Sequence, residues 1–183
     1  MLKKLVNTIG IFLILFSTFI IVIKFTIKLI YNMDKEEKIN IFFEEYNNNG
    51  NKIEKDDYLM ILEIPIINLR EGIYNFDNKK NTIETNVSIL KNSILPENDN
   101  SVLLLVAHSG NSDNAYFKNL YKLKYNDSVN IYYNKNLYKY EVNNIYVINK
   151  SDDFFIKKFN KKTLILITCL DNYKYLIIES QIF

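Results

Sequence analysis

Between Leu5 and Ile23 no side chain is charged, and the apolar pattern continues to Ile30, interrupted only by Lys24 and Lys28. A membrane span needs about 20 mostly apolar residues, so this stretch predicts an N-terminal transmembrane helix. Lys24 and Lys28 share a helical face near its end, where long lysines reach the interface. From Asp34 to Tyr46 the pattern changes to that of a short amphipathic helix. Ile39, Phe42, Phe43 and Tyr46 fall near helical spacing, Asp34 supplies an N-cap, and "NNNGN" at 47–51 supplies the stop.

From Tyr58 onward the strand signal dominates. "YLMILEI" (58–64) predicts a strand halted by Pro65. "SVLLLVAH" (101–108) and "TLILITC" (163–169) are continuous apolar runs of strand length, the mark of strands buried on both faces. "SVNIYYN" (128–134) and "LYKYEVNNIYVI" (137–148) predict a hairpin turning near "KN", and "KYLIIESQIF" (174–183) a last strand. "NAYFKNLYKL" (114–123) predicts one short helix, with Tyr116, Phe117 and Leu120 on one face and Asp113 as its N-cap. Six to eight strands with few helices indicate an all-β barrel or sandwich. Three segments follow: an anchor at 1–33, a helical linker at 34–57 and a folded domain at 58–183.

Charge and composition refine this picture. Lys3 and Lys4 precede the span, and beyond Met33 the chain turns acidic. The positive-inside tendency then puts the N-terminus in the cytoplasm and the domain outside the cell membrane. A cleaved signal peptide would need small residues after the apolar run. The chain has only two alanines, Ala107 and Ala115, which favours an uncleaved anchor. A formal net charge of +2 and the absence of a basic stripe give no argument for nucleic acid. One cysteine excludes an intramolecular disulfide, and with one histidine it argues against a Cys/His zinc cluster; no cofactor is expected.

The lone cysteine, Cys169, and the lone histidine, His108, each end a buried strand and begin a polar loop. If the two strands are parallel neighbours, both residues reach one rim of the fold. A thiolate is the nucleophile. An imidazole beside it can exchange its proton and later protonate a leaving amine. Taken singly, a cysteine is more often core, and it is the joint pattern that points to chemistry. Ser109 is a rival nucleophile without the G-x-S-x-G elbow. Thr168, one residue off in strand alternation, supports the site from behind, and Asp171 and Asn172 read as solvated loop residues.

These segments resemble the sortase family. "TLILITC" is similar to its T-L-x-T-C strand with two extra residues. "VAHSGNSDNAYFKNLYKLKYNDSVNIYY" resembles its histidine segment, and "ILEIPIINLREGIY" its opening strand. The anchor and first helix resemble class B, and the histidine segment class D. The resemblance implies a closed β-barrel of about eight strands with one or two short helices. It also implies a cysteine transpeptidase that cleaves an LPxTG-like sorting signal in a surface protein through a thioester on Cys169. The acyl group would pass to an amine of a cell-wall precursor or pilin, with His108 as general acid/base. The family also carries an arginine shortly after the cysteine. The one arginine here is Arg70, in the opening segment, and Lys174 falls closest to the vacant position. Two readings of Lys174 stay open, a point charge in place of the arginine's planar fork or a solvated lysine at a strand start. The missing arginine also motivates an inactive, peptide- or wall-binding barrel, and a purely hydrolytic cysteine peptidase is a third reading.

Overall fold

The structure, a computed structural model, describes residues 2–47, 57–152 and 159–182. It divides into two compact units, one up to Asn40 and one from Ile41. The first unit is helical. Helix α1 runs without a break over Leu2–Asn47, so the separate anchor and linker helices expected on either side of residue 34 are one element. No proline or glycine stands between Ile11 and Asn47 to interrupt it. Asp34 is therefore not an N-cap; its carboxylate bridges one turn to Lys38 at 2.7 Å. Apolar side chains from Val6 to Met33 stand exposed. This is one helix, among the described residues, long and apolar enough to cross a membrane, with mean hydropathy 2.5 in its most apolar window. The part of the expected linker at 48–56 lies outside the described residues.

The second unit is built on a sheet of eight strands: β1 (Met60–Ile64), β2 (Leu69–Ile73), β3 (Ser88–Ile89), β4 (Val102–Val106), β5 (Ser128–Tyr133), β6 (Asn136–Asn149), β7 (Thr163–Cys169) and β8 (Lys174–Ile182). Their order is β2-β1-β5-β6-β8-β7-β4-β3. The sheet curls into a nearly closed barrel. Its two edge regions meet through a side chain, the Asn86 amide donating 2.7 Å to the carbonyl of Gly72. Pro65 ends β1 as expected and opens a 3-10 turn, Pro65–Ile67. β5 and β6 form the expected hairpin, and its two turn residues, Asn134 and Lys135, both take positive φ (47° and 60°). That is the turn whose twist suits a two-residue hairpin.

Alternation along the central strands sorts their residues between two apolar layers. Leu103, Leu105, Leu164, Leu166, Leu176 and Ile178 face the barrel interior with Met60, Leu62, Phe117 and Tyr140. Val102, Leu104, Ile165, Ile167 and Ile177 face outward into a second layer that includes Val106, Tyr146 and Tyr175. The continuous apolar runs of β4 and β7 are thus buried on both faces. Each fully buried aliphatic side chain contributes about 1.5–3 kcal/mol. The helix expected at 114–123 is absent. The segment is a succession of turns ending in a 3-10 turn at Leu120–Lys122, so Asp113 caps no helix. Its polar groups are engaged elsewhere: Asn114 and Tyr116 bond to the carbonyls of Glu84 and Thr85, and the Phe117 N–H to that of His108.

Candidate active site

β4 and β7 are parallel neighbours, in register from Val102 opposite Thr163 to Val106 opposite Ile167. Two residues further along each chain stand His108 and Cys169. Three hydrogen bonds clamp the strand ends together around them. The Ala107 N–H donates to the Ile167 carbonyl at 3.3 Å. The Thr168 hydroxyl, buried, donates to the Ala107 carbonyl at 2.8 Å. The Ser109 hydroxyl donates to the Cys169 carbonyl. The clamp gives Thr168 its supporting place behind the site and uses Ser109 as a tie rather than a nucleophile. Gly110 follows with φ 107°, a backbone state that residues with a Cβ rarely adopt, and turns the chain away from the pair.

Alternation also fixes the face. Ala107 is buried in the interior layer, and Val106 packs on the outer one, so His108 continues the outer face. On β7, Thr168 follows the parity of the interior residues, and Cys169 that of Ile165 and Ile167 on the outer face. The backbone thus brings His108 and Cys169 to the same ends of two adjacent parallel strands. Cys169 is partly exposed and in no disulfide. His108 is 31% exposed, and its Nε2 lies 3.4 Å from Oε1 of Glu84.

The loop after the cysteine is a tight connection. Leu170 N–H donates 2.9 Å to the Lys174 carbonyl, and Asp171 accepts from the Tyr173 N–H at 2.7 Å. Asp171 thus shapes the turn. Lys174 opens β8 with an exposed side chain, opposite Asn149. Cys169 is paired with the next residue, Tyr175. Directly opposed residues on an antiparallel pair share a face, so Tyr175 stands beside the thiol and Lys174 belongs to the other face of β8. The cation over the Tyr175 ring is Lys150, one residue past the end of β6, with Nζ 5.1 Å from the ring centroid. Arg70 is engaged in β2, its guanidinium 4.7 Å over the Phe43 ring.

Sequence reasoning passed over Glu84, Tyr175 and Lys150. A signal for Tyr175 was present: the in/out alternation along β8 after a four-residue connection fixes which β8 residue faces Cys169. Glu84 and Lys150 come from loops, which carry no such periodicity.

Fold and site together define a barrel that carries a cysteine and a histidine on the same rim of two parallel strands. The chain belongs to the sortase family, a family of cysteine transpeptidases, because the Sortase domain model matches it over residues 62–181. Among solved structures it is similar to sortase A from Corynebacterium diphtheriae, with 26% identity and a TM-score of 0.63, covering 72% of this chain and 63% of that one. Sortase C1 from Streptococcus agalactiae is similar at 27% identity and a TM-score of 0.63, covering 72% and 70%. A Clostridium perfringens sortase D5 transpeptidase, 23% identical, shares the fold with a TM-score of 0.62, covering 82% of this chain and 94% of its own. No curated protein sequence matches the chain.

Proposed function

We propose that this protein is a membrane-anchored sortase in which Cys169 and His108 carry acyl transfer. The observation that supports the reading is the set of hydrogen bonds tying the ends of parallel β4 and β7 together at Ala107, Thr168, Ser109 and Cys169, next to which His108 stands in the chain. The Cys169 thiol gives its proton to His108, and the thiolate attacks the carbonyl carbon of a peptide bond in a sorting signal of LPxTG type. The tetrahedral adduct collapses as the imidazolium protonates the leaving amine and the C–N bond breaks, which leaves a thioester. An incoming amine, from a cell-wall precursor or a pilin lysine, then attacks the thioester. It loses its proton to His108 and expels the thiolate. Helix α1 anchors the enzyme with its N-terminus in the cytoplasm and the barrel outside, as Lys3 and Lys4 favour. The histidine segment supports a class D-like member and the anchor a class B-like one.

The test uses the full-length protein in detergent micelles with a panel of sorting-signal peptides. Transfer of the acyl part to an added amine is the expected product. Hydrolysis unaffected by amine would make the protein a peptidase. An intact fold that cleaves nothing would favour the inactive, peptide-binding barrel that the missing arginine suggests.

Two lysines compete for the arginine's part. Lys174 is nearest in sequence, and Lys150 covers the residue that faces the cysteine. A donor or cation aimed at a developing oxyanion is worth about a hundredfold or more in rate, and a flexible, exposed ammonium falls short of that. Lys150→Ala is expected to slow thioester formation about tenfold, and Lys174→Ala less than twofold. Burst kinetics on the two variants decide the assignment, and a larger loss for Lys174→Ala returns the role to Lys174.

A further inference from the structure

We propose that Glu84 is a positioning residue for His108, completing a thiol–imidazole–carboxylate relay; this rests on the acyl-transfer reading above. Three observations support it. The carboxylate Oε1 lies 3.4 Å from His108 Nε2. A carboxylate on one ring nitrogen leaves the other, Nδ1, to receive the thiol proton, and its charge favours the imidazolium that results. The turn carrying Glu84 is built to hold that position. The Glu84 N–H donates to Thr82 Oγ1 at 3.2 Å, and the Asn86 N–H to the Thr82 carbonyl at 3.0 Å. The third observation is that the histidine's own loop grips this turn. The Asn114 amide donates 3.2 Å to the Glu84 carbonyl, and the Tyr116 hydroxyl 2.9 Å to the Thr85 carbonyl. The Phe117 N–H closes that loop on the His108 carbonyl at 3.0 Å. Asn114 and Tyr116 were expected to lie in a helix; their bonds to this turn are part of what displaces it.

Glu84 is 71% exposed, so solvent and salt screen the pair and its effect is moderate. The proton in this relay moves only between Cys169 and His108; Glu84 takes no part in bond making.

The test reads the thiol directly and needs no substrate. Full-length protein in detergent is alkylated with iodoacetamide at neutral pH and low salt, as wild type, Glu84→Gln, His108→Ala and the double variant, with melting temperatures recorded. Glutamine keeps the shape and a hydrogen-bond acceptor but loses the charge. The expected result is Glu84→Gln alkylated about fivefold more slowly than wild type. The difference should shrink in 1 M salt and vanish in the His108→Ala background, with unchanged melting. Equal rates in wild type and Glu84→Gln, or the same slowing without His108, would overturn the relay. Peptide cleavage is scored separately. A protein that shows the coupling yet cleaves no peptide loses the acyl-transfer reading and keeps the thiol–imidazole–carboxylate coupling, whereas one that cleaves peptides with Glu84→Gln unaffected in both assays loses the relay alone.

Discussion

Cys169→Ala is expected to bring peptide cleavage down to the uncatalysed level while leaving the melting temperature within a few degrees of wild type. The separation follows from how the residue is held. The backbone of Cys169 takes part in the clamp, through its carbonyl and the Ser109 hydroxyl, and in the β7–β8 pairing opposite Tyr175. Alanine keeps all of that backbone. The side chain is only partly buried, so removing its sulfur costs little packing, and surface-proximal substitutions of this kind stay near 0.5 kcal/mol. The neighbouring Ser109 hydroxyl is committed to the cysteine's carbonyl, so it does not stand in as nucleophile. Loss of a catalytic nucleophile of this kind lowers turnover by roughly a millionfold. Peptide cleavage and a thermal melt on the same preparation check both halves. Residual turnover within tenfold of wild type would remove Cys169 from the mechanism.

The largest effect on stability is expected at Gly72→Ala. Gly72 lies in β2 opposite Ile61, where a Cβ would fall 2.2–2.3 Å from three ring carbons of Tyr58. No rotamer change at the far end of a side chain relieves that clash, since the contacts are to the body of the ring. The Tyr58 ring in turn packs on Tyr74, with centroids 4.8 Å apart. The Gly72 carbonyl receives the Asn86 amide that joins the barrel's edges, so moving either strand also strains the closure. Overpacking in a tight core costs about 1–3 kcal/mol, sometimes more, and this site stands at the upper end. A fall in melting temperature of roughly 10 °C is expected. An unchanged melt would mean that Tyr58 has somewhere else to go.

The part of the fold nearest the chemistry was the most legible. "SVLLLVAH" and "TLILITC" are apolar at successive positions because β4 and β7 have no solvent face. Strands of that kind pair in parallel, and parallel neighbours bring their C-terminal ends to one rim. That arrangement brings the chain at His108 and Cys169 to the same rim. β2, by contrast, went unseen within the opening segment, since "LREGI" mixes two charges with a glycine and has no period. β3, two residues long, was too short to leave one. The two helical errors have a common cause. Local propensity placed a break at Asp34 and a helix at Asn114, but an uninterrupted run of helix formers carried α1 through the first, and long-range hydrogen bonds to Glu84 and Thr85 dissolved the second. Strand parity also separates the two candidates for the arginine's part. Lys174 is one residue from the position opposite Cys169, and a shift of one residue in a strand changes the face.

The most direct test of the account is the intact mass of full-length protein quenched during turnover of a sorting-signal peptide. The account predicts an adduct equal to the acyl portion of the peptide, mapped to Cys169 and removed by hydroxylamine, as a thioester is. The adduct should be absent in Cys169→Ala and slow to form in His108→Ala. Peptide cleavage with no adduct at Cys169, or an adduct on any other side chain, would contradict it.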